Sequence, residues 1–328
     1  MKTRRMLYWS ISVESKKISV VVPCYNEESV IEETYCHLKK VMQENLYQDY
    51  EFIFVDDGSL DATYSLLFNL ANLDTSLKVL SFSRNFGHEA AVTAGLNFAS
   101  GELVFILDAD LQDPPELIPL MIELYKKEKA DMVYGVRKTR KGETFLKKTT
   151  SKLFYRILNY LSDVKLPLDT GDFRLMNKKV VLEYRKLKEK NKYTRGLISW
   201  VGFKQVPFYY ERQPRFSGNT KYNVRKLSAL ASNAIFYFSK KPLTLAMNLG
   251  FLSVLFCLFF SIYVFWGKFV KPLPGWASTL LIIIFFGGIQ LLTIGVLGLY
   301  LGNIFDEVKN RPEYIVNQCV NIDNEEYE

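Results

Sequence analysis

The sequence predicts an α/β domain built on a mostly parallel sheet, followed by a two-helix transmembrane hairpin. Short, nearly all-apolar runs alternate with amphipathic stretches of helical spacing through the first part of the chain. The polar motifs fall at the carboxyl ends of those runs. Two stretches of roughly 23 residues, Leu243–Trp266 and Thr279–Leu301, carry no charge, which is the length needed to cross a hydrocarbon core.

Taken in order, Ile18-Ser19-Val20-Val21-Val22 reads as a strand that Pro23 should stop, because a central strand needs the missing N–H. Asn26 is the expected N-cap of the next helix, with Glu27 and Glu28 placed against its dipole. Ile31, Tyr35, Leu38 and Met42 form that helix's apolar stripe. A second strand, Phe52–Val55, ends in Asp56-Asp57-Gly58-Ser59, and a third, Lys78–Phe82, leads into Ser83-Arg84-Asn85-Phe86-Gly87-His88. The fourth, Phe105-Ile106-Leu107, ends in Asp108-Ala109-Asp110, then Leu111-Gln112-Asp113-Pro114-Pro115-Glu116. Strands apolar on both sides belong in a parallel sheet covered on both faces, whose ligands bind beyond the carboxyl ends. Two acids one residue apart at such an end suit a hard divalent cation shared with a diphosphate, although a lone Asp-x-Asp also suits a solvated turn.

A fifth strand, Asp131–Val136, precedes eight basic residues between Arg137 and Arg156 (Lys147, Lys148 and Lys152 among them) against the single acid Glu143. This strip is either a solvated helix face or a surface for anionic headgroups. Leu168-Asp169-Thr170-Gly171-Asp172-Phe173-Arg174-Leu175 is turn-rich and then resumes as a strand or helix edge. A second basic cluster, Arg212, Arg215, Lys221, Arg225 and Lys226, is interrupted by the flexible Ser217-Gly218-Asn219. Leu227–Phe238 is amphipathic and aromatic, as an interfacial helix is. The expected divisions are a cytosolic α/β domain over 1–226, an interfacial region over 227–242, the hairpin over 243–303 and a cytosolic tail over 304–328. Gly287-Gly288, Gly295 and Gly298 permit close helix packing within one chain or in a homo-oligomer.

The net charge of +7, despite four acids at the C-terminus, favours anionic partners, and the sign alone does not separate phosphates or lipid from nucleic acid. The four cysteines have no CxxC spacing, so neither a zinc site nor a disulfide framework is implied, and a reducing compartment fits best. Lys2, Arg4 and Arg5 are not followed by an apolar core of signal-peptide length, so the α/β part is expected in the cytosol.

Together Val22-Pro23-Cys24-Tyr25-Asn26-Glu27-Glu28, Val55-Asp56-Asp57-Gly58-Ser59, the Asp108–Glu116 stretch and Gly171-Asp172-Phe173-Arg174 resemble family 2 glycosyltransferases of GT-A fold. Within that family the chain looks like the polyprenyl-phosphate glycosyltransferases, and its hairpin looks like the bacterial undecaprenyl-phosphate glucosyltransferase branch. The resemblance implies a metal-dependent enzyme of the cytoplasmic membrane, with its catalytic domain cytosolic. It would use Mg2+ or Mn2+ and transfer a hexose from a nucleotide sugar, best UDP-glucose, to a polyprenyl phosphate. UDP-GlcNAc, UDP-galactose and GDP-mannose are the alternative donors. Membrane lipids are partners and nucleic acid is not.

Carried over by motif, Pro23, Tyr25 and Glu27 line the nucleotide pocket and Asp57 holds the uracil or ribose. Asp108 and Asp110 serve the diphosphate and metal, Asp110 as the more direct ligand, with Ala109 between them and Gln112 beside them. Arg215 and Lys221 match a basic loop that closes over the donor phosphates, and Asp172 matches an acid near the acceptor. The acceptor phosphate is already largely ionised at neutral pH, its second pKa being near 6, so Asp172 is expected to position the acceptor or support Arg174 as much as to act as a base. His37 and His88 are expected to be structural or solvated, and Arg84 and Asn85 to touch the donor or brace their loop. A processive polysaccharide synthase would bring more spans and a Gln-x-x-Arg-Trp motif, and neither is present. A haloacid-dehalogenase-like phosphatase would carry its Asp-x-Asp on the first strand, followed by Thr; here Gln112 takes that place.

Overall fold

The computed structural model describes residues 17–137, 170–190, 192–212, 241–270 and 275–322. Arg215, Lys221, the basic strip beyond Arg137 and the Leu227–Phe238 segment lie outside the described residues.

Strands β1 (Ile18–Cys24), β2 (Tyr50–Asp56), β3 (Leu77–Phe82) and β4 (Leu103–Ile106) alternate with helices α1 (Ile31–Glu44), α2 (Thr63–Leu73) and α3 (His88–Phe98). A 3-10 turn (Pro115–Leu117) leads into α4 (Ile118–Glu128), followed by β5 (Met132–Arg137). Then come β6 (Thr170–Asn177), α5 (Lys178–Arg185), α6 (Thr194–Val201) and β7 (Gln205–Tyr210). The long helices α7 (Lys241–Val270) and α8 (Trp276–Val308) precede a last strand, β8 (Val316–Val320).

The sheet order is β7-β5-β6-β4-β1-β2-β3-β8. Its centre, β4-β1-β2-β3, is parallel as expected, because a helix crosses over between successive strands. β6 runs antiparallel to both β4 and β5, and β8 antiparallel to β3, so the whole sheet is mixed. The apolar strands are explained by two cores. Val20, Val22, Phe52 and Phe54 face the core under α1, α2 and α4, while Val21, Ile53 and Val55 face the one under α3 and α5. Successive side chains of a strand point to opposite faces, so apolar residues are needed at consecutive positions, and the buried polar residues of these strands (Ser19, Glu51, Asp56 and Ser81) sit at or near the strand ends.

Pro23 does not stop β1. It lies inside the strand, in register with Val55 of β2. The ladder to β4 ends at Val21–Ile106, so the absent N–H falls where no partner strand remains. Asn26 is not a helix cap either. Helix α1 begins at Ile31 with Val30 as its N-cap, and Asn26 takes a left-handed conformation (φ 53°) in the preceding loop.

The tail expected as a separate segment from 304 returns to the sheet. Helix α8 runs to Val308, and β8 then pairs with β3 from Val79–Val320 to Phe82–Val316. The Asn321 side-chain amide donates to the carbonyls of Ala71 and Leu77, both at 2.8 Å, and Tyr314 stacks on Phe82 at 5.0 Å. Without β8, β3 would be an open edge.

Two helices are long and apolar enough to cross a membrane, over Lys241–Tyr263 and Ile282–Val308, and only 6% and 0% of their most apolar windows are buried. A core helix of a soluble protein would be covered, so these two are membrane-associating. Phe256 meets Phe285 and Phe286, each at 6.3 Å, where the helices pack. Gly287, Gly288, Gly295 and Gly298 have open space where a Cβ would stand.

Candidate active site

The loops at the carboxyl ends of β1, β2 and β3 are bonded into one floor. Asn26 donates its N–H to the Ser59 hydroxyl at 2.9 Å and accepts from the Leu60 N–H at 2.8 Å. The Glu28 carboxylate accepts from the Ala62 N–H at 2.9 Å, at the start of α2, where an anion suits the helix dipole. Asp56 accepts from the Ser59 N–H and the Ser81 hydroxyl. Asp57, buried at the same strand end, accepts from the Phe86 N–H at 2.7 Å and the Gly87 N–H at 2.9 Å. It braces the Arg84–Gly87 loop. Gly58 (φ +67°) lets that loop approach, since a Cβ there would lie 2.4 Å from the Arg84 carbonyl carbon. Pro23 is buried at this floor, and Tyr25 and Glu27 are half-buried beside it.

Beyond β4, Asp108 is half-buried and Ala109 is buried, its carbonyl accepting from the Thr34 hydroxyl at 2.7 Å. The turn then forces Leu111 to φ 55°, an uncommon conformation for a branched side chain, while the Gln112 N–H donates to Asp110 at 3.1 Å. Asp113 is fully buried; the Tyr210 hydroxyl donates to it, and Arg137 and Arg212 approach at 3.6 and 3.5 Å.

The antiparallel β6 brings Asp172 to the same end. Asp172 is 2% exposed and accepts from Arg195 Nε at 2.8 Å and Nη2 at 2.6 Å on its two oxygens. His88 Nε2 lies 3.1 Å from Asp172 and 4.0 Å from Asp108. One ligand atom each from His88, Asp108 and Asp172 falls within 4.8 Å of the others, a group that could hold a metal ion. Asp110 is outside that group of three.

The charges interact strongly. Burial, reinforced by Asp172, Asp113 and Asp110 and opposed by His88, pushes Asp108 up to about 6. Burial alone would depress His88, but its hydrogen bond and charge contact with Asp172 carry it to about 9. Burial would raise Asp172, and Arg195 and His88 outweigh it, holding the carboxyl well below the usual range. Carboxylates gathered where water is scarce, with Asp108 reluctant to ionise, fit a divalent cation, whose charge would relieve their repulsion and whose hardness matches oxygen donors.

The expected residues Asp108, Asp110 and Asp172 therefore converge at one sheet end, with Pro23, Tyr25, Glu27 and Asp57 in the neighbouring loops. The hydrogen bond that Asp172 gives Arg174 comes from its main chain and not from its carboxylate: the guanidinium donates to the main-chain carbonyls of Gly171 at 3.1 Å and Asp172 at 3.4 Å. Of the cluster, the sequence reading gave His88 a structural or solvated role and did not single out Arg195. His88 was legible, as it follows a strand end on the ligand side. Arg195 was not, because it lies beyond another helix and no motif marks it.

The chain is similar to two bacterial proteins along nearly its whole length and, more distantly, to a solved structure. The "Uncharacterized glycosyltransferase YkcC" of Bacillus subtilis is 49% identical over 308 residues, covering 93% of this chain and 95% of that protein. The "SfII prophage-derived bactoprenol glucosyl transferase" of Shigella flexneri is 41% identical over 304 residues, covering 92% and 98%. A solved mannosyltransferase from Pyrobaculum calidifontis, in complex with GDP-Man and Mn2+, aligns at a TM-score of 0.46 and 19% identity over 68% of this chain and 63% of that one. Residues 19–185 match the family described as "Glycosyl transferase family 2". With that match and relatives of this identity along nearly the whole chain, the protein belongs to the family 2 glycosyltransferases.

Proposed function

We propose that the protein transfers glucose from UDP-glucose to the phosphate of a polyprenyl phosphate at the cytosolic face of the cytoplasmic membrane, with inversion at the anomeric carbon. The observation that carries this reading is the pairing of a carboxylate cluster at the ligand end of the sheet with an uncovered apolar hairpin in the same chain. The Shigella flexneri relative is named for glucosyl transfer to bactoprenol, and it spans the hairpin as well as the α/β domain.

In this reading a lipid phosphate oxygen attacks the anomeric carbon and the nucleoside diphosphate leaves. Pro23, Tyr25 and Glu27 would line the nucleotide pocket and Asp57 would face the uracil or ribose while bracing its loop. Asp108 and Asp110 would hold Mg2+ or Mn2+, with Gln112 beside them; the cation would supply charge neutralisation on the leaving diphosphate. Arg215 and Lys221 would add to it from the basic loop. Asp172, with both oxygens engaged by cations, is better suited to orienting its neighbours than to accepting a proton. Lys241, Lys309 and Arg311 flank the hairpin on one side and favour a cytosolic placement of that side. The open glycine face of α8 would suit packing against a second copy.

The test is release of nucleoside diphosphate by the full-length protein in detergent, with undecaprenyl phosphate and a panel of UDP-glucose, UDP-GlcNAc, UDP-galactose and GDP-mannose. The expected result is turnover of UDP-glucose that needs both the lipid and a divalent cation, and that collapses in Asp110→Asn. Turnover of another donor alone would replace the sugar assignment. Release without lipid would overturn the acceptor.

A further inference from the structure

We infer that Arg195 is a positioning residue for this reaction: its guanidinium grips both oxygens of Asp172 and fixes how that carboxylate faces the site. The inference rests on the transfer reading above.

The grip is a fork. Nε donates to Oδ1 at 2.8 Å and Nη2 to Oδ2 at 2.6 Å, the two-bond arrangement that a planar guanidinium makes with a carboxylate and an ammonium cannot. Asp172 is 2% exposed, so water does not compete for those oxygens. The Arg174 guanidinium is committed to main-chain carbonyls. His88 touches Oδ2 alone. Arg195 is thus the one described side chain that engages both oxygens of Asp172.

The helix that carries Arg195 is fixed at its start. The Thr194 N–H donates to Glu89 of α3 at 2.9 Å, and the Thr194 hydroxyl lies 3.3 Å from that of Tyr184, itself 3.0 Å from the Thr93 hydroxyl. The incoming loop is held by the chain that leaves the membrane hairpin. The Lys190 N–H donates to Glu307 at 2.9 Å, and Lys192 pairs with Glu313 at 2.9 Å, both side chains nearly covered. The guanidinium therefore reaches Asp172 from a rooted element, as positioning requires. A bridge made only for stability would need no such aim at the ligand end of the sheet.

The experiment uses the full-length protein in detergent with UDP-glucose and undecaprenyl phosphate. Arg195→Ala should lower kcat by about 10²-fold, the loss a misplaced group gives, with little change in either KM. Added guanidinium ion should restore part of that loss, and should restore nothing in Asp172→Asn. Arg195→Lys, which keeps the charge and loses the fork, should fall between wild type and Arg195→Ala. The double variant Arg195→Ala/Asp172→Asn should be no slower than Asp172→Asn alone. Losses that multiply in the double variant would overturn the inference, as would a raised acceptor KM with kcat intact, which would make Arg195 a direct acceptor contact.

Thermal unfolding reads the pair without reference to the reaction. Arg195→Ala leaves a buried carboxylate short of its main partner and should lower Tm, and adding Asp172→Asn should raise Tm again. Tm losses that simply add would overturn the pairing. A wild-type protein that turns over no donor would sink the transfer reading, and the unfolding comparison would still decide the pair.

Discussion

Asp172 sits between two cations, Arg195 and His88, and each of its oxygens accepts a hydrogen bond. A carboxylate held well below its ordinary range is a weak proton acceptor, and a lipid phosphate ionised above about pH 6 does not need one. Asp172→Asn should therefore lose activity by a similar factor at every pH between about 6 and 8. A pH–rate profile checks this: activity of the variant climbing back as pH rises would restore the general-base role. Asp108 differs in kind from Asp172. Burial and its acidic neighbours push it up to about 6, so it gains most from a cation.

Element by element, the parallel strands β1 to β4 were legible because each is apolar on both faces, which two helical layers require. The acids at their ends were legible because ligand sites of such sheets lie there. β8 was not: Val316–Val320 mixes exposed Asn317 and Gln318 with half-buried Val316, Cys319 and Val320, and its place depends on pairing with β3. Nor was the course of β1 through Pro23, since that depends on where β4 ends.

The far end of the sheet holds a device of its own. Glu51 on β2 is 3% exposed and accepts from the Ser19 hydroxyl at 2.5 Å and the Ser100 N–H at 2.7 Å, with Lys78 at 3.2 Å. Burial would raise its pKa, but these partners lower it. A depressed folded pKa adds stability that is present above the unfolded value of about 4.3 and is lost as pH falls through the folded value. Glu51→Gln should cost about 1–3 kcal/mol at neutral pH and progressively less in acid. Melting curves across pH would contradict this if the gap between variant and wild type stayed constant.

At the scale of the whole molecule, the hairpin is an insertion within the sheet's own chain, because β7 precedes it and β8 follows it. The contacts of Glu307, Glu313 and Tyr314 tie its exit to the α5–α6 loop and to β3. Truncation before Lys241 should therefore leave a less stable protein than internal deletion of 243–303 with the ends rejoined, since the truncation also removes β8. Equal melting temperatures for the two would contradict that role for β8. Charge reversal at Lys147, Lys148 and Lys152 in the internally deleted protein should weaken binding to anionic liposomes, most at low salt. Unchanged liposome binding would remove the basic strip from the membrane contact.

The hairpin and the carboxylate cluster have one purpose together if the acceptor is a phosphate anchored in the bilayer. The NMR spectrum of the lipid product made from UDP-glucose and undecaprenyl phosphate tests this most directly. A phosphodiester carrying a β-glucosyl unit is predicted, the inverted product of the α-linked donor. An α-linked product, or glucose bonded anywhere other than the lipid phosphate, would contradict it.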